Sequence, residues 1–143
     1  MDTRTGGSRG KGPVPFFRRT VERLRDAVVA QVELNWDDGS GSTVGEHLKQ
    51  IERQIGIKDP LLLRAEDVPP GAEYLARTYY ELRRGTVLTF SEMEAYQRVT
   101  GVELEYWEVD ALRTIDLAVD AKQSELIRQR QEKQRAAAPP RRR

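Results

Sequence analysis

The sequence has no cysteine, one histidine and no apolar run approaching the ~20 residues that span a bilayer. The missing cysteines exclude disulfides and thiolate chemistry. The lone His47 leaves no His-x-x-x-His, Glu-x-x-His or Cys pair, so the convergent ligands that a metal site needs are absent from the pattern. A solvated surface role beside Glu46 accounts for it. The glycines near the start lack the strand and the Gly-Lys-Ser/Thr ending of a phosphate loop. Aromatics are scarce at 7%, so a few large side chains must carry much of the packing. The first residues are Gly-, Lys- and Arg-rich and not of signal-peptide type, and the expected location is a cytoplasm.

Charge, in contrast, is plentiful. A third of the 143 residues are charged, yet the net is only +1. That average conceals two basic ends, +4 over residues 1–19 and +6 over 128–143, around a body of −9. Like-charge ends serve as solubilising tails or as contacts to an anionic partner.

Helical periodicity dominates between those ends, and no strand pattern competes with it. The first predicted helix, within residues 14–36, carries Phe17, Val21, Leu24, Val28, Val32 and Leu34 at spacings of three and four. Residues 37–42, Asp-Asp-Gly-Ser-Gly-Ser, read as a flexible linker. The second helix opens on a Thr43/Glu46 capping box and closes on Gly56, with Val44, Leu48, Ile51 and Ile55 as its stripe. It is too short to be stable without a packing partner. Residues 57–69 read as an extended connector.

A third helix starts around Pro70 and holds Leu75, Tyr79 and Leu82. The fourth opens on Thr89 and Glu92 as a second capping box, with Leu88 and Met93 as a hydrophobic staple. Met93, Tyr96 and Val99 face its core side, and Gly101 ends it. The fifth and longest places Leu104, Trp107, Ala111, Ile115 and Ala118 along one side, widened by Leu112 and Val119, with Leu126 and Ile127 last. A polar extension follows, and disorder is expected over 136–143. The expected fold is therefore all-α, a small bundle of about five helices. Residues 43–127 form the domain, residues 1–13 a disordered basic N-terminus, and residues 128–143 a basic polar tail.

Carboxylates at Glu103, Glu105, Glu108 and Asp110 lie at the start of the longest helix, where the macrodipole favours negative charge. A paired-carboxylate active site is the alternative, but helix-end electrostatics covers every member. No catalytic, metal or cofactor residue is singled out. The candidate functional residues are aromatic and basic: Tyr74, Tyr79, Tyr80, Arg83 and Arg84 on the third helix, with Trp107 on the fifth. Tyr, Trp and Arg dominate binding hot spots. The competing account keeps Tyr79 and Trp107 in the core and Tyr80 at its boundary.

One stretch has a familiar order. It runs Glu46-His47-Leu48, Pro69-Pro70-Gly71-Ala72-Glu73-Tyr74-Leu75 and Glu81-Leu82-Arg83-Arg84-Gly85. Leu88-Thr89-Phe90-Ser91-Glu92-Met93, Ala95-Tyr96, Thr100-Gly101, Trp107-Glu108, Leu112 and Asp116 follow. Over roughly residues 43–122 this resembles the small tail assembly chaperones of long-tailed phages, prophages and gene-transfer-agent-like particles. The N-terminal helix and arginine-rich tail fall outside the resemblance. It implies a non-enzymatic protein without cofactors that keeps the tape measure protein soluble and helps recruit tail-tube subunits. Such a protein acts in the host cytoplasm, is not expected in the mature virion, and is compatible with a homo-oligomer. A nucleic-acid-binding protein using the basic ends, or a head–tail or scaffolding component, are the other readings.

Overall fold

The computed structural model describes residues 15–84 and 87–140, and of Pro15 and Phe16 only the backbone. The basic ends expected to be disordered, residues 1–13 and 141–143, lie outside these. Among the described residues the chain is all-α: α1 Pro15–Leu34, α2 Val44–Ile55, α3 Pro60–Glu66, α4 Glu73–Leu82, α5 Phe90–Thr100 and α6 Tyr106–Ala137.

One core holds the bundle. Val21, Leu24 and Val28 of α1 meet Leu75 and Tyr79 of α4, Met93 of α5, and Ala111, Leu112, Ile115 and Val119 of α6. The α1 stripe thus folds in as its spacing predicts, with Leu24 fully enclosed. It belongs to the same core as the segment 43–127, so that segment alone lacks one wall.

The helix ends follow local chemistry. Thr43 and Glu46 complete a reciprocal box: Thr43 N–H donates to the Glu46 carboxylate at 2.9 Å, and Glu46 N–H donates to the Thr43 hydroxyl at 3.2 Å. At α5 only the Thr89 half forms, accepting from Glu92 N–H at 3.2 Å. The staple closes there, since Leu88 and Met93 are both buried in the core. Gly101 ends α5 in the left-handed conformation, φ 74°, which glycine adopts without a Cβ clash.

Several expectations are corrected. The connector over 57–69 contains α3. Asp59 caps it by accepting from Leu61 N–H at 2.8 Å, and Pro60 fills the first turn, an Asp-Pro start signal that the adjoining leucine run obscured. Residues 37–42, expected as a flexible linker, carry a set of local hydrogen bonds. Asp37 pairs with Thr43, and the Asp37 and Asp38 carboxylates accept from Gly39 N–H and Ser40 N–H at 2.7 and 2.9 Å. The turn draws α2 against α1 so closely that a Cβ on Gly45 would come within 3.1 Å of the Leu34 carbonyl oxygen. The α4 helix starts at Glu73, after the Pro69-Pro70-Gly71 turn. Val99 points to solvent. The α6 helix continues through Ala136 and Ala137, where disorder was expected.

Candidate partner-binding surface

The six aromatic and basic residues singled out in the sequence separate into a buried set and an exposed set. Tyr79 is buried and its phenol donates to Asp116 Oδ1 at 3.0 Å. Arg83 Nη1 donates to the same carboxylate oxygen and, at 3.1 Å, to the Tyr79 hydroxyl, while Nη2 donates to Gln123 at 2.8 Å. The second carboxylate oxygen, Asp116 Oδ2, accepts from the backbone N–H of Leu88 at 2.9 Å. Asp116 is therefore a buried hub that fastens the end of α4 and the start of the α5 turn onto α6. Burial opposes the Arg83 charge, but the hydrogen bonds to Asp116 and Tyr79 and the neighbouring negative charge outweigh it, so its pKa is raised. Burial and the Asp116 charge push the Tyr79 phenol up.

Trp107 is half-buried. Its ring stacks on Phe17 of α1 with centroids 4.6 Å apart, and its Nε1 donates to Glu105 at 2.9 Å. Glu105 N–H in turn donates to the Glu108 carboxylate at 2.8 Å, so two of the clustered acids cap α6. Among the described residues no group of three His, Asp or Glu side chains could hold a metal ion. A cleft of about 610 Å³ lies between α2 and α3, but Lys49, Arg53 and Lys58 mix there with Glu52 and Glu66, and Lys58 is already paired with Glu66 at 2.7 Å.

The exposed set is Tyr74, Tyr80 and Arg84. Six residues separate the two tyrosines, which sets them about 120° apart around α4. Tyr74 faces Glu108 of α6, and desolvation followed by that carboxylate raises its pKa. Tyr80 lies edge-on to Tyr79 at 5.9 Å, and Arg84 lies beyond the end of α4, where its Nε donates to the Glu81 carbonyl oxygen at 3.2 Å. The structure therefore does not gather the six residues into one patch.

It gathers others. Leu88, whose N–H is anchored on Asp116, stands between the exposed Val87 and, two residues on, Phe90. The Arg113 guanidinium lies 4.3 Å over the Phe90 ring. Leu117 lies one turn beyond Arg113 on α6, and Val87, Phe90 and Leu117 are each at least half exposed. These residues escaped the sequence reading because Val87 and Phe90 flank the staple and cap of α5, where they resemble more core. The spacing Tyr106, Arg113, Leu117 on the outer face of α6 was the available signal.

Among the described residues no helix is long and apolar enough to cross a membrane. No curated protein and no solved structure matches the chain. The model of one protein family does match, over residues 51–119, just under half the chain. That interval contains Asp116, the Thr89 cap with its staple, and the Phe90–Arg113 contact. This segment, from the second half of α2 to the middle of α6, is similar to a family described as phage tail assembly chaperones.

Proposed function

We propose that the chain is a non-enzymatic tail assembly chaperone that binds an amphipathic helix of the tape measure protein through Val87, Phe90, Arg113 and Leu117. The single observation that carries this reading is a set of exposed apolar residues, Phe90 under Arg113 with Val87 and Leu117, next in sequence to the hub residues Leu88 and Asp116 and inside the segment that matches the family. A tape measure chain offers long apolar helix faces, and covering them needs this kind of surface. Arg113 lies over the Phe90 ring, so an acidic rim on the partner helix suits it. Recruitment of tail-tube subunits, action in the host cytoplasm and absence from the finished particle belong to the same proposal.

The test is a pull-down of the tape measure protein at two salt concentrations. Phe90→Ser with Leu117→Ser abolishes capture, Tyr80→Ala with Arg84→Ala weakens it, and moderate salt changes it little. Mass spectrometry of purified particles finds the chain missing. The second reading, non-specific nucleic-acid binding, has one observation in its favour. The α6 extension carries Arg128, Lys133 and Arg135 exposed and Arg130 half-buried. It predicts DNA binding that falls steeply with salt and is lost in Arg128→Gln with Arg135→Gln. That outcome, together with no tape measure capture, replaces the first reading.

A further inference from the structure

The inward face of α6 does not stop where its apolar residues do. Leu126, Gln129, Arg130 and Lys133 follow Leu112, Ile115 and Val119 at the three- and four-residue spacings of one helix face. Opposite them lies an acidic stretch, the last turn of α1 and its connection to α2. Glu33 stands 3.9 Å from Lys122 Nζ. A Cβ on Gly39 would lie 3.9 Å from Arg130 Nε and 4.0 Å from Nη2, so the half-buried guanidinium rests against the residue that follows Asp38. Trp36 and Asp38 share with Leu126, Arg130 and Lys133 the walls of a cavity of about 150 Å³. Hydrogen bonds from Ser40 hold the Asp38 carboxyl below the usual carboxylate range, and the Lys133 charge adds to that. The exposed Arg128 and Arg135 stand on the opposite side of the helix, about half a turn round from this face.

We propose that this acidic corner is an electrostatic clamp, which keeps the basic end of α6 docked and helical as far as Lys133 and is opened by charge competition. The inference is independent of which surface receives the tape measure protein. Glu33, Asp37 and Asp38 supply the negative side, and Lys122, Arg130 and Lys133 supply the positive side in matching number. The helix needs this help. Beyond Leu126 no buried apolar residue remains among the described residues, and helix ends without packing fray. Attraction between groups so close to solvent is modest and is screened as the Debye length falls from ~10 Å at 0.1 M salt to ~3 Å at 1 M. Opening the clamp sets Arg130 and Lys133 free beside Arg128 and Arg135. An anionic surface that competes for them therefore binds the very charges that it releases.

Amide hydrogen exchange of the full chain, followed by NMR over residues 129–137, tests this. At low salt, Asp38→Asn is expected to speed exchange there about fivefold. Asparagine can still accept from Ser40 N–H, the bond that Asp38 makes at 2.9 Å, so the turn keeps its shape while the charge is lost. Arg130→Gln with Lys133→Gln has a similar effect, and combining it with Asp38→Asn adds little, because both remove one interaction. Salt at about 1 M speeds wild type to the rate of Asp38→Asn and changes that variant little. Glu103→Gln, which removes the same charge at the other end of α6, has no effect. Amides that exchange in wild type as freely as in an unfolded chain overturn the proposal, and so does exchange indifferent to Asp38→Asn. Fully additive effects overturn it too. An equal acceleration in Glu103→Gln, or in Arg128→Gln with Arg135→Gln, reduces the clamp to net charge and overturns it as well.

Discussion

The Asp116 hub and the α2 stripe invert the usual placement of side chains in opposite directions. At the hub, an aspartate 2% exposed and an arginine are enclosed with a tyrosine hydroxyl. On α2, isoleucines at helical spacing stand in solvent. The two cost free energy for different reasons. Enclosed charges must be fully hydrogen-bonded, and each hub group is matched by a partner fixed on another segment. Exposed isoleucines forgo burial, which a partner can later supply. The hub therefore fixes geometry, and the stripe leaves binding capacity unspent. Polar groups inside and apolar groups outside are read together as a frame and the surface it presents.

The sharpest way to break the comparison is at the hub. Asp116→Ala strands the Arg83 charge and leaves the Leu88 N–H unpaired, and it is expected to cost about 3–5 kcal/mol in denaturant unfolding. A loss under about 1 kcal/mol would mean that the hub contributes little to the frame. Leu24→Ala, in the wall that α1 contributes, is expected to cost about 2–5 kcal/mol. Limited proteolysis of that variant should proceed through α1 before α6. If residues 43–127 persist as a fragment equally stable without α1, the single-core account fails.

Trp107→Ala comes next. The sequence placed this ring on the core stripe, where full burial implies about 3–5 kcal/mol. The structure puts it at the edge, stacked on Phe17, so about 2 kcal/mol is expected, with Phe17→Ala non-additive with it in a double-mutant cycle.

Tyr79→Phe removes one hydrogen bond from Asp116 and is expected to cost about 1 kcal/mol near neutral pH. Its signature is in the pH dependence. The Tyr79 pKa is raised in the folded state, so its contribution is fully present below the ordinary phenol value of about 10. The contribution falls as pH rises from there towards the raised folded value, because only the unfolded chain releases the proton readily. Wild type should lose stability more steeply than Tyr79→Phe above about pH 10. Parallel alkaline limbs would show that the phenol is not held by the hub.

The smallest effect belongs to the stripe. Ile55→Ser is expected to change monomer stability by less than about 0.5 kcal/mol, against several kcal/mol for a buried isoleucine. A larger loss would show that α2 is core after all.

What could be read from the sequence divides along the same line. Periodicity located α1, α2, α4, α5 and α6, and capping chemistry placed the starts of α2 and α5, because both signals are local. The α3 helix was missed because its seven residues make fewer than two turns, too few for a repeating stripe. Its Asp59-Pro60 start was the remaining clue. The hub was legible only as residue types. Tyr79, Arg83 and Asp116 lie 33 to 37 positions apart in the pairs that matter, and no spacing rule announces such a meeting. The same gap explains why Tyr79 and Arg83 were grouped with Tyr80 and Arg84 on sequence proximity. For α2, periodicity gave the stripe correctly but could not say that the described residues leave half of it exposed.

The packing of α1 against α6 also sets a schedule. Val21, Leu24 and Val28 find their partners in Leu112, Ile115 and Val119, roughly ninety residues later. At ribosomal speeds of about 5–20 residues per second, α1 waits roughly 5–20 s for those partners to be made. During that interval its apolar face is open to whatever else is nearby. The chain thus spends its first seconds with an uncovered helix of its own, and its yield should depend on how quickly the ribosome reaches α6.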